Sequence, residues 1–177
     1  MLEKPFSIRL AELADWHDIW HLLEPIFRAG ETYPYDPAIS KADAYTAWME
    51  VPTATYVAET TTTDAAGPDT TGGRDILGTY YIKPNQPALG AHVCNCGYAV
   101  SQCARGKGVA TALCNHSQQE AKRLGFRAMQ FNLVVSTNAP AVYLWQKLGF
   151  QKVATLPGAF NHTTQGFVDA FVMYKQL

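Results

Sequence analysis

No apolar run in this chain approaches the roughly 20 residues that a membrane-spanning helix needs. The opening segment MLEKPFSIRL also lacks the apolar centre of a secretory signal. Charge of either sign is scarce: 16% of the 177 residues are charged and the net charge is −1. That leaves no basic footprint for nucleic acid. Cysteine is sparse too. Cys94, Cys96, Cys103 and Cys114 are too few and too clustered for a disulfide framework. Their spacing fits no structural zinc site, so they read as small buried thiols and no metal is expected. These absences point to a cytoplasmic protein without membrane or nucleic-acid partners.

What is there is apolar patterning, with 47% hydrophobic residues. A chain of this length reads as one domain over residues 1–177, able to bury about 70% of its unfolded surface without staples. FSIRL alternates as a strand does. DWHDIWHLLEPIFRAG sets Trp16, Ile19, Leu23 and Phe27 at helical spacing, with Asp15 as N-cap, Gly30 as stop and Pro25 kinking or shortening the helix. SKADAYTAWME reads as a short helix capped by Ser40. ATYVAET and DILGTYYIK read as strands. Between them TTDAAGPDTTGGR reads as a mobile hairpin loop, a flexible insertion near 61–75. HVCNCGYAV is a strand, KGVATALCNHSQQEAKRLG a helix, AMQFNLVV a strand and NAPAVYLWQKLG a helix capped by Asn138. FQKVATL and GFVDAFVMYKQ close the sheet. The order predicts an α/β fold with a mixed, mostly antiparallel central sheet flanked by helices, and one strand–helix–strand crossover.

Residues 103–113, CARGKGVATAL, carry the strongest chemical signal. Glycine costs conformational entropy, yet Gly106 and Gly108 stand where a helix begins. A helix N-terminus offers free N–H groups to phosphate, and glycines let a pyrophosphate approach them. Arg105 and Lys107 add positive charge. No Walker loop is present. The dinucleotide fingerprint fails as well, because its last small position is Thr111 and the following strand has no acidic residue. Arg105, Gly108 and Ala110 fit a third pattern: Arg or Gln, two spacers, Gly, one spacer, then Gly or Ala.

On that pattern, and on TNAPAVYLWQKLGF with Asn138, Ala141, Gly149 and Phe150 in register, the chain resembles the GNAT superfamily of acetyl-CoA-dependent N-acetyltransferases. YYIKPNQP, HVCNCGY and FNLVVSTN are similar to the branch acting on azetidine-2-carboxylate and other proline analogues. GETYPYD is similar to phosphinothricin-type enzymes. The resemblance implies the GNAT fold, with its sheet splayed at the acetyl-CoA site. It implies acetyl-CoA as co-substrate, held by Tyr98, Ala99 and Val100 on the central strand, by Arg105, Gly106, Lys107, Gly108, Val109 and Ala110 in the loop, and by Asn138.

Acetyl transfer needs a neutral amine, a stabilised oxyanion and a stabilised leaving thiolate. Backbone N–H groups around Tyr98 to Val100 are candidates for the oxyanion, and Gly97 before them fits a bulge or a close backbone approach in an otherwise regular strand. The family's acidic tyrosine position holds Trp145, whose indole donates a hydrogen bond but no proton. Tyr143 lies two residues earlier, about 160° round a helix. Asn138 is therefore the candidate for stabilising the thiolate. Glu31 is the first candidate base, with Asp169, His92 and His162 behind it. Asn95 and Asn132 are candidates for binding substrate, because a buried amide in an apolar strand needs a partner, and Leu133 beside Asn132 is a candidate with them. The expected function is acetylation of a small-molecule amine, such as an amino acid or proline analogue. A protein N-terminal or lysine acetyltransferase and a non-catalytic acetyl-CoA sensor remain open, and a homodimer is compatible with the sequence.

Overall fold

The computed structural model describes residues 6–61 and 75–177. Seven strands form one sheet in the order β1-β2-β3-β4-β5-β7-β6. They are β1 (Phe6–Leu10), β2 (Ala54–Thr60), β3 (Ile76–Pro84), β4 (Val93–Val100), β5 (Ala128–Val135), β6 (Gln151–His162) and β7 (Gly166–Gln176). Four α-helices flank it: α1 (Trp16–Ala29), α2 (Lys41–Tyr45), α3 (Val109–Arg123) and α4 (Ala139–Lys147). Every neighbouring pair is antiparallel except β4 and β5, which α3 joins as a parallel crossover. The expected flexible insertion lies almost wholly outside the described residues. None of the described helices is long and apolar enough to cross a membrane.

The two faces of the sheet carry separate cores, because side chains alternate across a strand. On one face α1 and the helical turn Thr46–Glu50 that follows α2 bury Ile19, Leu23, Phe27 and Trp48 against Val57, Tyr81 and Ala99. On the other, α3 and α4 cover Tyr56, Tyr80, Ile82, Cys94, Cys96, Met129 and Phe131. Each large side chain buried here contributes about 1.5–3 kcal/mol.

Four local features depart from the sequence reading. The Asp15 side chain does not cap α1. It accepts from Arg9 of β1 at 2.7 and 2.8 Å and from the Glu12 N–H at 2.7 Å, so the carboxylate is spent on holding the turn before α1 to β1. Pro25 does not end α1, which runs on to Ala29. Both Pro25 and His21 are exposed, so water can serve the carbonyl that proline leaves without a donor. β6 continues past Leu156 through Pro157 and Gly158 to His162. It is an edge strand with bulges, the setting in which proline is tolerated. Of the four free cysteines, Cys94, Cys96 and Cys114 are buried as expected, whereas Cys103 is exposed in the turn before α3.

Candidate active site

The two parallel strands meet only at their starts, Val93 with Ala128 and Cys94 with Met129. Beyond that point β4 stays paired with β3 up to Val100, while β5 stays paired with β7. The sheet therefore opens into a wedge between Asn95–Val100 and the second half of β5. An aromatic cluster lies at this opening. Trp145 of α4 packs at 5.0 Å against Tyr98 on one strand and at 5.0 Å against Phe131 on the other, and Phe150 stacks on Phe131 at 4.4 Å. At the position where the resemblance expects an acidic tyrosine, a buried indole thus sits against both strands.

Backbone alternation decides which groups face the wedge. The Asn85 N–H donates to the Val93 carbonyl and the Ser101 N–H to the Leu77 carbonyl, so odd-numbered residues of β4 turn toward β3. Even-numbered residues turn the other way, and the Tyr98 carbonyl accepts from the Tyr33 hydroxyl at 2.8 Å. The amides of Tyr98 and Val100 consequently face the gap, joined by that of Cys96, which the sequence reading placed only among the buried thiols. The Ala99 amide faces its partner Thr79 instead.

The loop after β4 leads into α3 through Gly108, its N-cap, at φ +79°. No side chain caps this helix. A Cβ built on Gly106 or Gly108 would meet nothing within 4 Å. Arg105, Gly106, Lys107 and Gly108 are exposed, Ala110 is half-buried, and Val109 turns its side chain into the core. An open helix N-terminus with two bare glycines and two flanking cations fits a pyrophosphate.

Asn138 follows β5 and caps α4, accepting from the Ala141 N–H at 3.3 Å. Asn95 is buried where the strands part. Its amide donates to the Gln130 carbonyl of β5 at 2.9 Å and accepts from the Tyr81 hydroxyl at 3.3 Å. It supplies one cross-strand rung that the backbones no longer make. Asn132 is exposed on β5 and donates to Asn85 at 2.6 Å, and Leu133 is half-buried beside it. Gly97 stands in unbroken register with Tyr81, so it marks a close approach and not a bulge. A Cβ there would lie 2.5 Å from Cε1 of the Tyr81 ring.

The candidate bases are dispersed. Glu31 is exposed in the loop after α1. His92 is exposed just before β4, at the paired end of the wedge, with Nδ1 3.1 Å from the Leu89 carbonyl. Asp169 accepts from the Gly158 N–H at 2.9 Å and so holds the β6 bulge. His162 is buried near the tip of the β6–β7 hairpin and accepts from the Thr164 N–H at 3.3 Å. That tip is tied to the end of α1, for Thr163 donates its hydroxyl to the Ala29 carbonyl at 2.6 Å and its N–H to the Gly30 carbonyl at 3.4 Å.

Tyr33 was not singled out in the sequence. Burial pushes its phenol pKa well above the ordinary value, so it remains a hydroxyl donor at neutral pH. The signal was the pair of tyrosines flanking Pro34 directly after a helix. Their rings stack at 5.9 Å, and Tyr33 meets Trp48 edge-on at 5.6 Å.

Comparison with known proteins agrees with this geometry. The model of the acetyltransferase (GNAT) family matches residues 16–150. The N-acetyltransferase aca1 of Schizosaccharomyces pombe is 34% identical over 148 residues, 81% of this chain and 71% of that protein. A GCN5-related N-acetyltransferase from Kribbella flavida is 41% identical, with a TM-score of 0.86 and 98% of each chain covered. The yncA protein of Salmonella typhimurium, solved with its cofactor acetyl-CoA, shares the fold at a TM-score of 0.76 and 20% identity, covering 97% of this chain and 94% of its own.

Proposed function

The chain belongs to the GNAT acetyltransferase family and is an acetyl-CoA-dependent N-acetyltransferase, and from that premise we propose that its acceptor is the amine of a small molecule of the amino acid or proline-analogue class. The observation that carries this reading is the closure around the wedge. Tyr33 is bonded to the β4 backbone, and the β6–β7 tip is bonded to the end of α1. Together they bound the approach to the wedge on the α1 face. A lysine within a polypeptide needs a groove open at both ends, whereas a small amine needs only a hollow. The YYIKPNQP, HVCN and FN segments, similar to the proline-analogue branch, fall on β3, β4 and β5 around the level where β4 and β5 part.

In this reading acetyl-CoA supplies the acetyl group as a thioester. Gly106, Gly108 and the first amides of α3 hold its pyrophosphate, with Arg105 and Lys107 alongside. The gap-facing amides of Cys96, Tyr98 and Val100 hold the pantetheine arm and donate to the oxyanion as the amine attacks. Hydrogen bonds aimed at charge that develops in the transition state accelerate the step directly. Asn138 donates its amide to the departing thiolate. An α-amino group with pKa near 8 is mostly protonated at neutral pH and must lose its proton first. Glu31, on the loop beside the acceptor side, is the residue we place in that role, directly or through one water.

The test is release of CoA thiol from acetyl-CoA with free amino acids, proline analogues, simple amines and peptides as acceptors. Turnover of free small amines supports the proposal. Turnover of peptides alone overturns it, and acetyl-CoA binding without thiol release on any acceptor identifies a sensor.

Asn138→Ala separates capping from catalysis. We expect kcat to fall about tenfold or more with little change in the amine KM, because the amide acts on the thiolate only in the transition state. Loss of the cap also costs about 1 kcal/mol of stability. Full turnover by the folded variant, in steady-state assays beside a melting curve, leaves Asn138 with capping alone.

A further inference from the structure

Lys83 is a half-buried cation on β3 with no carboxylate partner among the described residues. Its Nζ lies 5.4 Å from the centre of the Tyr81 ring. That ring is fixed from three directions. It meets Trp48 edge-on at 4.9 Å, leans over Gly97 of β4, and donates its hydroxyl to Asn95. Lys83 is itself the register partner of Asn95 and shares the face of Tyr81, two residues away. The ammonium is therefore held beside β4, at the level where β4 and β5 part. Asn85, two residues further along on the same face, accepts from Asn132 of β5. A lone cation set among an aromatic face and amides is half a binding site. The aromatic ring recovers only about 0.5–2 kcal/mol of what partial burial costs an ammonium.

We propose that Lys83 receives the carboxylate of the acceptor, so that the enzyme's substrates are amines bearing an acidic group and not plain amines. The proposal rests on the small-molecule reading above and narrows it. A carboxylate has the charge and the acceptor oxygens that this ammonium lacks, and a hydrogen bond between charged groups is about twice as strong as a neutral one. The placement beside Asn95 also sets the acid close to the thioester region. An amino group one carbon away, as in an α-amino acid or a cyclic imino acid, would then lie near the wedge.

The experiment measures kcat/KM by thiol release for a panel of free amino acids and proline analogues, each beside its uncharged carboxamide. The wild-type protein is compared with Lys83→Met, Lys83→Glu and Lys83→Arg, with the acetyl-CoA KM and melting temperature as checks on folding. The wild type is expected to prefer acid over amide. Lys83→Met should lower that acid-to-amide ratio roughly 10- to 100-fold, Lys83→Glu should lower it further, and Lys83→Arg should restore most of it. A merely structural lysine would change both rates alike and leave the ratio untouched. A wild-type ratio near one, or a ratio unmoved in the folded Met or Glu variant, overturns the proposal while leaving the small-amine reading intact. Activity confined to peptides overturns that underlying reading and this one with it.

Discussion

Gly108→Asp is expected to abolish acetyl-CoA binding in a protein that stays folded. The position suits such a test. Gly108 has φ +79°, where aspartate is among the better-tolerated side chains. It is also the N-cap of α3, where an aspartate side chain favours the helix. The added Cβ meets nothing within 4 Å, so no packing is lost. The same carboxylate would stand at the helix N-terminus where we place the pyrophosphate. Two unit charges about 4 Å apart at an effective dielectric near 20 repel by about 4 kcal/mol, close to a thousandfold in affinity. Isothermal calorimetry should show no measurable heat of binding, with the melting temperature close to wild type. Wild-type affinity in the folded variant would remove the 105–110 loop from the cofactor site.

Gly97→Val should damage the acceptor side by a different route. The new Cβ falls 2.5 Å from Cε1 and 2.9 Å from Cζ of Tyr81. Tyr81 is 7% exposed and wedged edge-on against Trp48, so its ring has no free space to swing into. Either β4 shifts or the ring leaves Asn95 and Lys83. Overpacking of this kind costs about 1–3 kcal/mol of stability. A displacement near 1 Å at a reacting strand costs on the order of 100-fold in rate. The expected result is a lowered melting temperature and a fall of that order in kcat/KM for the amine. Unchanged kinetics would show that the Tyr81–Gly97 contact is packing alone.

The elements that read well from sequence are those whose signal is local. ATYVAET and AMQFNLVV match β2 and β5 residue for residue, and Ser40 and Asn138 cap the helices they were expected to cap. FQKVATL covers only the first part of β6, for Pro157 and Gly158 are strand-breaking residues that only a place at the sheet edge makes tolerable. Asp15 has the chemistry of a cap, but a guanidinium on another element claims its carboxylate. Cys103 looks like its buried neighbours in composition, yet it falls in a surface turn.

For the site, the sequence alone determined the glycine turn at the start of α3 and the capping asparagine, because glycine at a helix start and Asn before a helix act through their own backbone within a few residues. It also named Asn95 and Gly97 as irregular. What those two residues do was decided by the tertiary structure. The wedge exists because β4 and β5 touch at only two registers and part above an aromatic cluster. That relation between strands some 35 positions apart in sequence follows from packing and has no local signature. The same holds for Tyr33 reaching the Tyr98 carbonyl and for Lys83 resting on the Tyr81 ring beside Asn95. A side chain's type can be read from the chain, but its partner is set by which strands and helices come to lie against each other.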